Sequence, residues 1–299
     1  MQRVQLTGRV HYLHGAVNFG LVETERGLLV IDSGLDRGAA NKILRAAEEL
    51  GRPLVAVLNT HAHADHFGGN AQLVRKAGIP VYAPEGEDVV IRQPLYEPVY
   101  LFGGAAPIAA LQSRFLLAEP SPVDHLVRPG ERVVIDGVEI EVIDLSGHSL
   151  AQVGFLVDGV LFAADSFAGP GALGKHPIPY LVDGERTLQA LDRVARVEAR
   201  WFVPGHGEAV DHTATLAEVL AANRALIERM FEWVTGRLRR GPAGTEDLLA
   251  ELAAAWEVSI GDPIAYVLAR TALLGVLASL ERRGEARATV EAGRWLWQL

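Results

Sequence analysis

The sequence predicts an α/β sandwich over residues 1–212 followed by a mainly helical domain over 213–299. Three observations predict this. Short apolar runs of strand character alternate with segments of helical spacing through the first two thirds of the chain. Five of those runs end in a polar turn that carries a His or an Asp. Beyond Asp211 long amphipathic stretches take over, and only a last pair of short alternating segments reads as strand.

In chain order, residues 1–31 alternate in short runs turning at 23–27, which reads as antiparallel strands. His11 and His14 fall here and are read as surface or strand-edge histidines rather than ligands. Residues 39–50 have helical spacing closed by Gly51-Arg52-Pro53. A strand at 54–58, a helix at 70–77 and a strand at 80–83 follow. Residues 84–125 then break the rhythm, because Pro84, Pro94, Pro98, Pro107, Pro120 and Pro122 interrupt a segment holding Tyr96, Tyr100, Phe102 and Phe115. Such an insertion is too apolar for a solvated loop and too broken for one helix. It reads as a lid or substrate wall, or equally as a subunit contact that would make a homodimer. Residues 128–144 read as a hairpin turning at Asp136-Gly137, and 187–197 as a helix. The C-terminal stretch gives helices at 215–239, 245–255 and 263–283 and a hairpin of 286–290 with 294–299 around Ala292-Gly293.

Composition narrows the function classes. At 299 residues the chain can bury one large core or two smaller ones. With no Cys, disulfides, thiolate ligands and a Cys nucleophile are excluded. No basic start with an apolar stretch opens the chain, and no apolar run reaches the length of a membrane span, so a cytoplasmic protein without a membrane partner is expected. The net charge of −9 argues against nonspecific attraction to nucleic acid. From residue 213 onward ten Arg and no Lys stand against eleven acids, a net of −1, so the tail is also a poor phosphate-neutralising surface.

The chemistry concentrates in His61-Ala62-His63-Ala64-Asp65-His66, which follows an apolar strand and precedes Gly68-Gly69-Asn70. Alternate side chains of an extended segment face the same way, so His61 and His63 address one point. Asp65 and His66, past the bend, address a second. Imidazole with carboxylate suits zinc or iron. Four further runs end in Asp32, in Ser146-Gly147-His148, in Asp165 and in Pro204-Gly205-His206. Ligands at the carboxyl ends of several strands converge on one edge of the sheets.

His61-x-His63-x-Asp65-His66 resembles the HxHxDH signature of the metallo-β-lactamase superfamily, and the later ligands follow in that family's order and spacing. The resemblance implies an αββα sandwich with two divalent metal ions, zinc foremost and iron or manganese as alternatives. It implies that His61, His63 and His148 bind one ion, that Asp65, His66 and His206 bind the other, that Asp165 bridges them, and that Asp32 orients neighbouring ligands. Two ions about 3.5–4 Å apart can share a water and lower its pKa toward about 7. The bridging hydroxide would attack an ester, thioester or lactone carbonyl or a phosphoester, with Asp65 aiming it.

Departures narrow the family. The lactamases with a Cys ligand are excluded, and the other binuclear lactamase type lacks the bridge that Asp165 supplies. Homoserine-lactone hydrolases carry a Tyr just after the bridging Asp, where Phe167 and Ala168 follow Ser166 here. Glyoxalase II enzymes share the Thr60-to-Asn70 run almost as it stands and also end in a helical domain, so the expectation is a glyoxalase II-like hydrolase of unassigned substrate. The helices and two-stranded wing resemble the winged-helix tail of some members. That suggests an endoribonuclease as one alternative, and a mononuclear non-haem iron enzyme of the persulfide dioxygenase kind is the other. The loop leaving Asp165 brings His176 and Tyr180 as candidate substrate contacts, the Tyr180 hydroxyl as an oxyanion donor unless it packs under the next helix. With the insertion and the first C-terminal helix it is expected to form an apolar mouth for a small-molecule substrate with an apolar portion.

Overall fold

In the computed structural model the described residues are 2–211 and 214–299. Among them, seven strands form the first sheet in sequence order: β1 (Gln2–Gln5), β2 (Val10–His14), β3 (Phe19–Glu23), β4 (Leu28–Ile31), β5 (Leu54–Leu58), β6 (Val81–Pro84) and β7 (His125–Val127). β1 to β4 pair antiparallel through short turns, whereas β4 to β7 pair parallel. Parallel neighbours need crossovers, and α1 (Arg37–Leu50), then α2 (Ala64–Phe67) and α3 (Asn70–Ala77), supply the first two. Asp36 starts α1 by accepting from Gly38 N and Ala39 N, two of the amides a helix start leaves unpaired. The insertion between β6 and β7 holds α4 (Asp88–Arg92), α5 (Tyr96–Leu101) and a 3-10 turn at Ala109–Leu111, short pieces between its prolines.

The second sheet comprises β8 (Arg132–Ile135), β9 (Val138–Asp144), β10 (Val153–Val157), β11 (Val160–Ala164), β12 (Trp201–Pro204) and β13 (Val210–Asp211). Its one parallel pair among the described strands, β11 with β12, is joined by α6 (Gly184–Val194). Asp136-Gly137 and Asp158-Gly159 close the hairpins on either side of β9 and β10 with positive φ at both residues, the requirement of a tight two-residue turn. The strand β10 and its turn have no counterpart in the sequence expectation.

Two apolar layers on the first sheet follow from the alternation along the strands. Leu29, Ile31 and Leu58 of the first sheet meet Phe155, Phe162 and Val203 of the second between the sheets. On the outer face of the first sheet, Ile43 and Leu73 of α1 and α3 cover Val30 and Val57. This is the expected αββα sandwich.

The tail forms α7 (Ala214–Leu238), α8 (Thr245–Ala255), α9 (Pro263–Arg282) and the hairpin of β14 (Arg287–Glu291) with β15 (Arg294–Gln298). The expected boundary between residues 212 and 213 lies outside the described residues. Across it runs a single apolar cluster, in which Leu161, Phe202 and Leu191 pack with Leu220, Met230, Leu273 and Leu277. One expectation needs correction. The helix α9, with mean hydropathy 1.7 over its most apolar window, is long and apolar enough by length and composition to cross a membrane. Here half of that window is buried against the protein's own helices, which accounts for its apolar character.

Candidate metal centre

Every expected ligand, and the supporting Asp32, lies just beyond the carboxyl end of a strand or in the turn it opens: Asp32 after β4, His61 to His66 after β5, His148 after β9, Asp165 after β11 and His206 after β12. Those ends share one edge of the sandwich, and the side chains converge there. His63 Nδ1 lies 3.0 Å from His61 Nε2 and 2.9 Å from His148 Nε2. His206 Nε2 lies 3.4 Å from Asp65 Oδ2, and His66 Nε2 lies 4.0 Å from that same oxygen. Asp165 reaches both groups, with Oδ1 at 3.3 Å from His66 Nε2 and Oδ2 at 3.4 Å from His148 Nε2 and from His206 Nε2. Two ligands at 2.0–2.1 Å from a tetrahedral ion sit about 3.3–3.4 Å apart. The spacings are therefore close to what a divalent cation requires.

Hydrogen bonds on the far ring nitrogens decide which nitrogen faces the centre. Asp32 accepts from Thr60 N through Oδ1, and from Thr60 Oγ1 and His66 Nδ1 through Oδ2, each at 2.8 Å. Since Thr60 gives its hydroxyl proton to Asp32, its oxygen accepts from His61 Nδ1 at 3.1 Å. His148 Nδ1 donates to the Tyr180 carbonyl at 3.2 Å, and His206 Nδ1 to the Ala16 carbonyl at 2.7 Å. Nε2 of His61, His66, His148 and His206 is thereby left to the centre. Two atoms there, His66 Nε2 and Asp165 Oδ1, are fully enclosed without a hydrogen bond. Each such orphan costs about 1–3 kcal/mol, a cost that a cation would remove. The donor set and the orphaned atoms fit divalent metal ions.

Electrostatics divides the histidines into two kinds. Burial holds His61 well below the ordinary imidazole range, and His63 and His148 down at about 4, so all three are neutral lone-pair donors. Burial also opposes charge on His66, but Asp165, Asp32 and Asp65 together raise it well above the usual value. Asp165 is the main cause that pushes His206 up to about 10. Burial works against the charged form of both carboxylates, yet His66 and His206 hold Asp65 down at about 2, and His206, His66 and His148 hold Asp165 well below its usual range.

The backbone is shaped to the same end. Asp32 and Ala164, which directly precedes Asp165, sit in the left-handed region at φ 58° and 47°. Strain of this kind is characteristic of functional turns. A Cβ on Gly205 would fall 2.0 Å from Asp165 Oδ1, so only glycine lets that turn pass the carboxylate. Ser33, Asn59 and Asn70 form a buried hydrogen-bonded group around the His66 carbonyl. Asn18 donates to the carbonyls of Pro204 and Gly207 on either side of His206. At α7, Asn223 accepts from Ala168 N at 2.8 Å and donates to Ala168 O at 2.9 Å, fixing the chain just past Asp165. The sequence reading missed Thr60, Asn18 and Asn223. Thr60 could have been found from its place beside His61, but the other two act across 186 and 55 residues and leave no local signal.

Tyr180 stands edge-on to His63 and His148, ring centroids 5.2 and 5.3 Å apart. Its hydroxyl is enclosed, with burial raising its pKa and the Tyr100 side chain, within hydrogen-bonding range, opposing the rise. Tyr180 also packs against an apolar cluster made by Leu101, Leu111 and Leu116 of the insertion and Val267 of α9. The insertion therefore lies at the same end as the centre, and the C-terminal helix that meets it is the third, not the first as expected. Tyr96, Tyr100, Phe102 and Phe115 are all exposed on it. His176 is exposed and, among the described residues, is not in the converging group. His14 pairs with Asn18. His11 departs from the expectation of a surface or edge residue, because β2 lies inside the sheet and buries the ring against Glu23.

Residues 13–206 match the metallo-beta-lactamase superfamily. The chain is 28% identical over 265 residues to a hydroxyacylglutathione hydrolase of Xanthomonas euvesicatoria, spanning 87% of this chain and 88% of that one. It is 30% identical over 223 residues to that of Xanthomonas axonopodis, covering 73% of each. Among solved structures, a beta-lactamase domain protein from Burkholderia ambifaria has a TM-score of 0.76 at 19% identity, covering 99% of this chain and 93% of that one.

Proposed function

The chain belongs to the metallo-β-lactamase superfamily, and from that premise we propose that it is a binuclear metal-dependent hydrolase of a thioester, ester or lactone carbonyl, glyoxalase II-like in kind. His61, His63 and His148 would hold one ion and Asp65, His66 and His206 the other, with Asp165 shared. The observation that carries the reading is the span of Asp165, whose two oxygens lie at 3.3–3.4 Å from nitrogens of both groups. Two divalent ions in such a site supply a nucleophilic water at neutral pH and polarise a carbonyl oxygen. The nitrogen-rich donor set suits zinc, with iron or manganese as alternatives.

The chain's own residues do the rest. Burial of His61 and His66 closes the floor, whereas Asp65 and His206 are about one-third exposed and face the opening. Asp65 would accept a hydrogen bond from an attacking water and aim it. The apolar cluster of the insertion and α9, against which Tyr180 packs, would wall the mouth and favour a small substrate with an apolar portion. The Asp65–His66–His206 group offers a second set of donors, and metal analysis of protein purified without added metal separates two ions from the single iron of a dioxygenase. The tail's balanced charge argues against an RNA substrate.

The test is a screen of thioesters, lactones and phosphodiesters with protein of measured metal content. Carbonyl hydrolysis that a chelator abolishes and zinc, manganese or iron restores is expected. Turnover confined to phosphodiesters, or oxygen uptake with a persulfide, would overturn the reading.

A further inference from the structure

Glu87 opens the insertion just before α4, and no motif marks it. Its side chain is nevertheless 5% exposed. Oε2 accepts from Ala62 N at 2.9 Å, while Oε1 accepts from Ser149 Oγ at 2.6 Å and from Ala151 N at 2.8 Å. Ala62 is the residue between His61 and His63, and Ser149 directly follows His148. One carboxylate therefore fastens together the two loops that bring His61 Nε2, His63 Nδ1 and His148 Nε2 within 3.0 Å contacts.

The choice of an acid here is costly. A buried carboxylate is normally offset by a cation, yet among the described residues no Lys, Arg or His lies within ion-pair distance of Glu87. What offsets its burial is the three bonds from the ligand loops, and charge-assisted bonds of this kind are roughly twice as strong as neutral ones. A neutral side chain would fill the space at lower cost, but it could not accept from both loops at once through two equivalent oxygens. Asp32 does the corresponding work on the other side of the centre, where it accepts from Thr60 and from His66 Nδ1.

We propose that Glu87 is the positioning residue of the first metal site, setting the separation between the His61–His63 loop and the His148 loop. Through it the insertion that walls the mouth is tied to the coordination geometry. The inference rests on the two-ion reading above.

The test reads metal binding rather than turnover. Zinc affinity of each site would be measured by chelator competition, and cobalt(II) absorption would report coordination geometry, for wild type, Glu87→Gln, Ser149→Ala and Glu85→Gln. Glu85 is an exposed neighbour that pairs with Arg128, so it controls for charge in this segment. Loss of a partner that orients metal ligands typically costs 10–100-fold in affinity. Glu87→Gln is therefore expected to weaken one zinc site by about that factor, to spare the other, and to alter the cobalt spectrum. Ser149→Ala, which removes one bond of three, should weaken the same site less, and Glu85→Gln should leave both unchanged.

A Glu87→Gln protein with both affinities within about twofold of wild type and an unaltered spectrum overturns the proposal, even if it melts at a lower temperature. Should Glu87→Gln not fold, Ser149→Ala decides, and unchanged affinity at both sites counts against the proposal. Wild-type protein that takes up fewer than two ions sinks the two-ion reading instead, and that is seen before any substitution is made.

Discussion

His66 donates from Nδ1 to Asp32 Oδ2 at 2.8 Å, and that bond settles which face of the ring meets the centre. Asp32 is itself held by both donors of Thr60, so the ring is fixed from outside before any ion arrives. The same ring places Nε2 3.3 Å from Asp165.

Stoichiometry tests this first. His66→Ala removes a nitrogen from the second group and leaves His61, His63 and His148 intact. Bound zinc should fall from about two ions per chain toward one, read by metal analysis after gel filtration. Wild-type protein that saturates with a single ion under zinc, manganese and iron alike would rule out the paired site.

Asp165→Asn keeps the shape of the bridge and removes its charge. Activity should drop by more than about tenfold with weaker metal retention, because a neutral amide no longer offsets two cations. Activity within about twofold of wild type would mean that Asp165 does not bridge.

Metal uptake should release protons. His206 is held up at about 10 and His66 well above its ordinary value, so without metal both rings stay protonated at neutral pH. Binding must displace those protons, whereas His61, His63 and His148 have none to lose. Since the raised values belong to the cationic form, zinc affinity should rise with pH until it passes about 10. Calorimetry in buffers of different ionisation enthalpy should count about two to three protons per chain at neutral pH, two from the rings and up to one more from the shared water. A heat independent of buffer would contradict the charge assignment.

Tyr180→Phe distinguishes contact with the reacting carbonyl from packing alone. The hydroxyl is buried, its ring stands edge-on to His63 and His148, and the Tyr100 side chain is within hydrogen-bonding range of it. We expect kcat to fall several-fold with KM within about twofold. Unchanged kcat together with a raised melting temperature would show that the ring only packs against α9.

The strands that carry ligands were legible because each apolar run stops at a polar turn, as at Leu54–Leu58 and Trp201–Pro204. Asn70–Ala77 was legible because its spacing is bounded by glycines. β10 escaped notice although Val153–Val157 is as apolar as Leu54–Leu58, because only the two-residue turn Asp158-Gly159 separates it from β11 and the two strands read as one run. The start of α6 fell three residues earlier than expected, since Asp183 caps it through Arg186 N. Of the candidate centre, the residues that converge, and Asp32 behind them, were legible from the His61–His66 run and the strand ends, but the other supports were not. Glu87, Asn18 and Asn223 work through contacts remote in sequence, and remote contacts leave no periodicity to detect.

The grip of Asn223 on Ala168 has a consequence for how this chain can diversify. The tail shares its apolar layer with the outer face of the second sheet and also anchors the peptide just past Asp165. A recombination that swapped the tail for a homologue's would exchange one apolar wall of the second sheet and a fixed point of the loop after Asp165 together. Inheritance of the two parts is therefore coupled, and changes in α7 and in the 165–180 loop should accumulate in step rather than independently.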